Sequence, residues 1–216
     1  MGGMRQIKWH GLLLILATIL MGCATPGTAP SSPTSSQPPR TKTLTFAMNA
    51  EPEVILTAMG SRRPAALRNA VHQHLAANDN RGQALPQLAE ELPSTANGTW
   101  VVRPDGTMQT TYRLRPNVTW HDGAPLTAED LVFGWAVTSD PTFPVESKAA
   151  SSEIGRIEAR ADHTLVIEWQ RLYVQAYAIT EDDLGPFPAH LLRPLYEADK
   201  QQMWGSPYWT TMFVGV

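Results

Sequence analysis

The stretch Tyr112-Arg113-Leu114-Arg115-Pro116-Asn117-Val118-Thr119-Trp120-His121-Asp122-Gly123-Ala124-Pro125-Leu126-Thr127-Ala128-Glu129-Asp130-Leu131-Val132-Phe133 reads as a strand, a tight turn and a capped helix. Tyr112 and Leu114 alternate with Arg113 and Arg115, the two-residue period of a strand with one buried face. Pro116 and Asn117 interrupt the alternation, and Val118 and Trp120 resume it. Asp122-Gly123 is a turn dipeptide, because Gly tolerates positive φ and the Asp carboxylate can accept from nearby amides. Thr127 is then a helix N-cap, and Asp130 three positions on can reach back to free amides as in a capping box. Ala128, Leu131, Val132, Trp135 and Ala136 follow at i, i+3, i+4, i+7 and i+8, one apolar helical stripe. Turn and cap chemistry accounts for the polar residues without a ligand, so the unit is read as scaffold.

Working outward, residues 43–48 alternate like a first strand and 49–53 form a loop. A helix is expected from 64 to 77, with Leu67, Ala70, Val71 and Leu75 along one face. Residues 86–93 are a short amphipathic element between prolines. Two hairpins are expected. One joins 100–102 to 108–114 across Pro104-Asp105-Gly106, and the other joins 154–158 to 164–169 across Ala161-Asp162-His163. A proline-rich lead at 185–190 opens a helix from about Leu191 to Asp199. The tryptophans beyond residue 99 are spread out, as core or edge packing would place them.

The first residues resemble an export signal. Arg5 and Lys8 precede an apolar run, Leu12 to Leu20, that is too short to span a bilayer comfortably. The run ends in Leu20-Met21-Gly22-Cys23, which resembles the lipobox of bacterial lipoproteins. Cys23 is the single cysteine of the chain, so it is the expected lipid-attachment site, and a disulfide within the chain is excluded. Residues 24–40 hold five prolines with Ala, Thr, Ser, Gly and Gln and no charge before Arg40, the composition of a tether that cannot bury a core. The expected division is therefore a signal peptide at 1–22, lipidated Cys23 with its tether through 41, and a folded region at 42–216.

The formal net charge is −3, with no block of like charge, so no nucleic-acid face is indicated. No Gly-x-Ser-x-Gly, His-Glu-x-x-His or phosphate-cradling glycine loop occurs, and no catalytic constellation is found. His121 beside Asp122 invites an acid–base reading, but turn geometry explains the Asp and no third partner is visible. His72 and His74 would diverge on a helix and align on a strand, and two ligands alone are an incomplete metal set. No metal and no cofactor are expected. Asn97-Gly98-Thr99 and Asn117-Val118-Thr119 match the glycosylation pattern by chance.

The ordered set of motifs resembles the family 5 extracellular solute-binding proteins of bacterial ABC importers, the oligopeptide, dipeptide and nickel type. The match runs through Pro86-x-Leu88-Ala89-Glu90, Asp105-Gly106-Thr107, His121-Asp122-Gly123, Thr127-Ala128-Glu129-Asp130 and Pro188-x-His190-Leu191-Leu192. It departs after Ser139, and around 71–76, where the aromatic-Glu-Gly-Leu of many members is missing. The resemblance implies a type II, bilobal α/β periplasmic-binding-protein fold. Of it, this chain would hold only the N-terminal part of the first lobe and an inserted α/β subdomain near 62–183. Val214-Gly215 is commonly followed in the family by Gly-Pro-Tyr and a strand, so the chain is read as an N-terminal fragment.

The function implied is that of a lipid-anchored receptor, not an enzyme. It would capture a peptide or similar small solute for ABC permease subunits, on the extracytoplasmic side of the membrane. The loop after the first strand is the expected cleft edge, which points to Ala50, Glu51 and Glu53 as ligand contacts. A ligand-sensing or adhesion lipoprotein on the same scaffold and an exported hydrolase are the alternatives.

Overall fold

The structure is a computed structural model, and it describes residues 43, 45, 47, 69–142, 149–180 and 184–216. The chain divides into two units, Met1–Thr45 and Phe46–Val216, and every element described below belongs to the second. The signal peptide, Cys23, the tether, most of the expected first strand, and Ala50, Glu51 and Glu53 lie outside the described residues.

Among the described residues, six strands form two sheets. Strands β1 (Ala76–Asn78) and β2 (Ala84–Pro86) make an antiparallel pair. Strands β3 (Trp100–Val102), β4 (Met108–Arg113), β5 (Ile154–Ala161) and β6 (Thr164–Trp169) make a four-stranded sheet in the order β3-β4-β6-β5, every pair antiparallel. The helices are α1 (Ala128–Ser139), α2 (Ala149–Glu153), α3 (Ala189–Ala198) and α4 (Lys200–Trp204).

Both expected hairpins are present. At the first, Arg103 N–H donates to Thr107 O at 2.9 Å and Gly106 takes φ 86°, the left-handed conformation that the Asp-Gly turn requires. The second hairpin is longer than expected, because β5 continues through Ala161. Its turn is also used elsewhere: Asp162 O accepts the first helical amide of α1, Ala128 N–H, at 2.7 Å. On β4 the pattern holds, with Met108, Thr110 and Tyr112 buried and Arg113 exposed. The buried polar atoms there are paired. Trp169 Nε1 donates to Thr110 Oγ1 at 2.9 Å and Tyr112 Oη donates to Ala176 O at 2.6 Å.

The helix expected from 64 to 77 is corrected within the described residues. Backbone at 69–71 is helical, the chain leaves the helix at His72, and Ala76–Asn78 is a strand. The reason is a turn with no helical alternative. The Asp79 carboxylate accepts from the amides of Arg81 and Gln83, each at 2.8 Å, and Gly82 sits at φ 76°. Leu75 and Ala76 still reach the core, but from extended chain. The short amphipathic element at Pro86-x-Leu88-Ala89-Glu90 is extended chain that bridges two segments through its backbone. Leu88 N–H donates to His74 O at 3.0 Å, Leu88 O accepts from Arg115 N–H at 2.8 Å, and Glu90 N–H donates to Arg113 O at 2.8 Å. Its Leu and Ala are fully buried between the two partners.

Helix α1 buries a wider arc than its stripe predicts. Ala128 and Leu131 are fully buried, but Val132, Trp135 and Ala136 are only half-buried, while Phe133, Gly134 and Val137 are buried. The helix lies between two apolar clusters. Leu131 packs with Tyr112, Leu165, Ile167 and Trp169 on the sheet side. Phe133 and Val137 pack with Phe187, Leu192, Met203, Tyr208 and Trp209 on the other. A helix covered on two sides needs apolar residues beyond one stripe. Helix α3 begins at Ala189, two residues before the expected start.

Asp140 closes the second cluster. Its buried carboxylate accepts from Lys200 Nζ, from Tyr196 Oη and Thr142 Oγ1 at 2.6 Å each, and from Thr142 N–H at 2.8 Å. These donors, Lys200 foremost, hold its carboxyl well below the usual carboxylate range. Helix α1 also approaches segment 185–187 so closely that a Cβ on Gly134 would stand 2.1 Å from Gly185 O. Gly134→Ala should therefore destabilise by about 2–4 kcal/mol, because the obstacle is backbone and cannot rotate away. A urea midpoint equal to wild type would contradict this packing.

Candidate functional site

The expected site residues, Cys23, Ala50, Glu51 and Glu53, lie outside the described residues; the side chains weighed in the sequence and set aside as candidates, His72, His74, His121 and Asp122, lie near one indole. Trp120 is 1% exposed. His72 stacks on it at 5.9 Å between centroids, and His190 lies 6.2 Å away at a tilt. His72 and His74 are both buried and meet edge to face at 5.1 Å, so extended chain brings the rings together where a helix would separate them. Among the described residues, no group of three or more His, Cys, Asp or Glu side chains is placed to hold a metal.

The Asp122-Gly123 turn forms as its chemistry demands. Gly123 adopts φ 89° and donates to Trp120 O at 2.9 Å, and Asp122 Oδ1 accepts from Ala124 N–H at 3.1 Å. Asp122 Oδ2 has a further partner that local reading missed: His190 Nε2, at 2.8 Å and 68 positions away. The two side chains are about one-third exposed (31% and 33%). The hydrogen bond from His190 holds the Asp122 carboxyl below its ordinary range, against a smaller opposing effect of burial. His121, the sequence neighbour, pairs elsewhere. Its N–H donates to Gly215 O at 2.9 Å, and its Nδ1 accepts from Gly215 N–H at 3.3 Å.

Beneath the turn lies Asp130, 4% exposed. Its Oδ2 accepts from Thr127 N–H at 2.9 Å, the expected capping bond, and from Trp120 Nε1 at 3.3 Å. Its Oδ1 accepts Ala189 N–H at 2.9 Å, the first amide of α3, and its main-chain O accepts Phe187 N–H at 3.1 Å. One carboxylate thus caps two helices and seats the indole. Burial, assisted by the charge of Asp130, pushes the Tyr208 phenol well above its ordinary range. The arrangement joins the turn, α1 and α3 through one carboxylate. The signal that could have located His190 was Pro188-x-His190-Leu191-Leu192, which carries the family pattern without revealing its contact.

Comparison with known proteins agrees with this description. The family of bacterial extracellular solute-binding proteins, family 5, middle, matches residues 84–215. The oligopeptide-binding protein AppA of Bacillus subtilis is 22% identical over 195 residues, 88% of this chain and 34% of that protein. The oligopeptide binding protein of Thermus thermophilus, solved with a pentapeptide, superposes with a TM-score of 0.62 at 20% identity. That superposition covers 72% of this chain and 27% of the other. NikZ of Campylobacter jejuni, solved with Ni(L-His), gives 0.59 at 22% identity, over 77% of this chain and 30% of the other. The chain spans between 10% and 34% of the length of the curated relatives it matches.

This chain belongs to the family 5 bacterial extracellular solute-binding proteins, and its fold is part of the bilobal α/β periplasmic-binding-protein architecture. The family and its structural neighbours are binding proteins. Asp130→Ala should cost about 3 kcal/mol, since it leaves the buried Trp120 Nε1 and the part-buried amides of Thr127 and Ala189 without their acceptor. Unfolding in urea measures this, and a loss below about 1 kcal/mol would remove Asp130 from its central place.

Proposed function

We propose that this chain serves in a lipid-anchored substrate-binding receptor of an ABC importer, which captures peptides or similar small solutes for a membrane permease. The observation that carries the reading is the family match over 84–215, which takes in the described elements from β2 to the Gly215 contact. The relatives named for oligopeptides support a peptide-class solute. In this reading two lobes close around the solute, and contacts made only in the closed state favour closure. Residues near 62–183 form the inserted subdomain, and Ala50, Glu51 and Glu53 form the cleft edge. The Asp122 and Asp130 junction contributes rigidity rather than solute contact.

Cys23 carries the anchor. Its sulfur takes a diacylglycerol, residues 1–22 are removed, and each buried methylene contributes about 0.8 kcal/mol to membrane attachment. Cys23→Ser should move the chain from the membrane to the soluble fraction of a bacterial host. Retention at the membrane would contradict lipidation at that sulfur.

The solute is tested on the protein carrying this chain with libraries of oligopeptides, nickel–histidine complexes and sugars. A peptide present at 100 times its Kd should stabilise the folded state by about 2.7 kcal/mol and raise Tm accordingly. Stabilisation by nickel–histidine alone would replace peptides with a metal chelate. No stabilisation by any class would overturn solute capture.

A further inference from the structure

We infer that Asn97 is a latent modification site: the loop 92–100 holds its carboxamide away from self-deamidation, and a chain that deamidates once cannot reclose the loop. Asn97-Gly98 is the one Asn-Gly dipeptide of the sequence. Such a pair attacks itself readily, because glycine has no Cβ to hinder the approach of its amide to the preceding side chain. In the reaction Gly98 N loses its proton and bonds to Asn97 Cγ, the Cγ–Nδ2 bond breaks, and ammonia leaves. Water then opens the succinimide at either carbonyl, which leaves an aspartate or an isoaspartate at position 97. Water is the only co-reactant.

The carboxamide is held at both ends. Asn97 Oδ1 accepts from Ser94 N–H and Thr99 N–H at 3.1 Å each, and from the Thr99 hydroxyl. Asn97 Nδ2 donates to Leu92 O at 3.2 Å. The surrounding backbone is tied down as well. Gly98, at φ 72°, donates its N–H to Thr95 O at 3.4 Å, and Asn97 N–H donates to Ser94 Oγ at 3.1 Å. Trp100 N–H donates to Ser94 O at 3.1 Å, which fixes the loop to the start of β3. The donors on Oδ1 polarise Cγ and by themselves favour attack. Ring closure also turns Cγ onto Gly98 N, and that rotation takes Oδ1 and Nδ2 away from their partners. The loop therefore reacts from its open form, at a rate set by how often these bonds break together. Neither product fits the closed loop. Aspartate puts an oxygen against Leu92 O where a donor stood. Isoaspartate lengthens the main chain by one atom between Ser94 O and Trp100 N–H.

The test is incubation of the full chain at pH 8, native and in guanidinium, followed by mass spectrometry of the tryptic peptide 82–113, in which Asn97 is the sole asparagine. Deamidation should be about tenfold or more slower in the native chain than in the denatured one, the cost of opening several hydrogen bonds together. Thr99→Val removes the hydroxyl donor and should raise the native rate about fivefold while leaving the denatured rate unchanged. A native rate within about twofold of the denatured rate, or a native Thr99→Val rate equal to wild type, overturns the inference. If Thr99→Val does not fold, Ser94→Ala, which removes the acceptor of Asn97 N–H, decides in the same way. Asn97→Asp stands for the reacted chain, and its Trp100 amide should exchange faster than in wild type. Equal exchange would show that the reacted loop recloses and would overturn that part of the inference. These readouts need no solute and are independent of the transport reading.

Discussion

A single buried carboxylate organises the described chain. Asp130 accepts from the N-cap amide of α1, from the indole of Trp120 and from the amide that opens α3, while its own carbonyl accepts from Phe187. A charge with so little water access persists in a fold only when its lone pairs are occupied. Here they are occupied by groups from three separate stretches. The strand-turn unit, α1 and the C-terminal helices therefore share one acceptor, and each must be in place for the others to be satisfied.

Close backbone approaches reinforce this joint. Gly134 lets α1 lie against Gly185 O, and Gly215 lets the last residues lie against Val71 O and the His121 ring. The two apolar clusters meet on opposite sides of α1, and Val214 packs against both. The Trp-His-Asp-Gly sequence, which invites an acid–base interpretation, is occupied with structural duties. Asp122 shapes the turn and holds His190, and His121 holds Gly215. A family whose members bind different solutes has reason to keep such a joint rigid and leave recognition to other surfaces.

Local chemistry was legible in the sequence wherever the deciding residues are neighbours. The Asp105-Gly106 hairpin, the Asp122-Gly123 turn and the capping bond from Thr127 to Asp130 depend on residues within a few positions of one another. The β1–β2 pair was not legible. Its strands have only three residues each, and the spacing of Leu67, Ala70, Val71 and Leu75 fits a helix as well as it fits extended chain. The second covered face of α1 was invisible because it depends on residues 187–209 folding back. Asp122 with His190, and Asp130 with Ala189, are separated by 68 and 59 positions, and periodicity carries no information at that range. The family pattern did place those segments in one architecture, but it named no contact between them.

Native-state amide exchange tests the central place of Asp130 most directly. Thr127 N–H and Ala189 N–H, which share that carboxylate, should exchange only with global unfolding, at the same free energy as the amides of β4 and β6. That result would show α1, α3 and the sheet opening as one cooperative body. Exchange of Ala189 through a separate opening of much lower free energy, with Thr127 and the sheet still protected, would contradict the account.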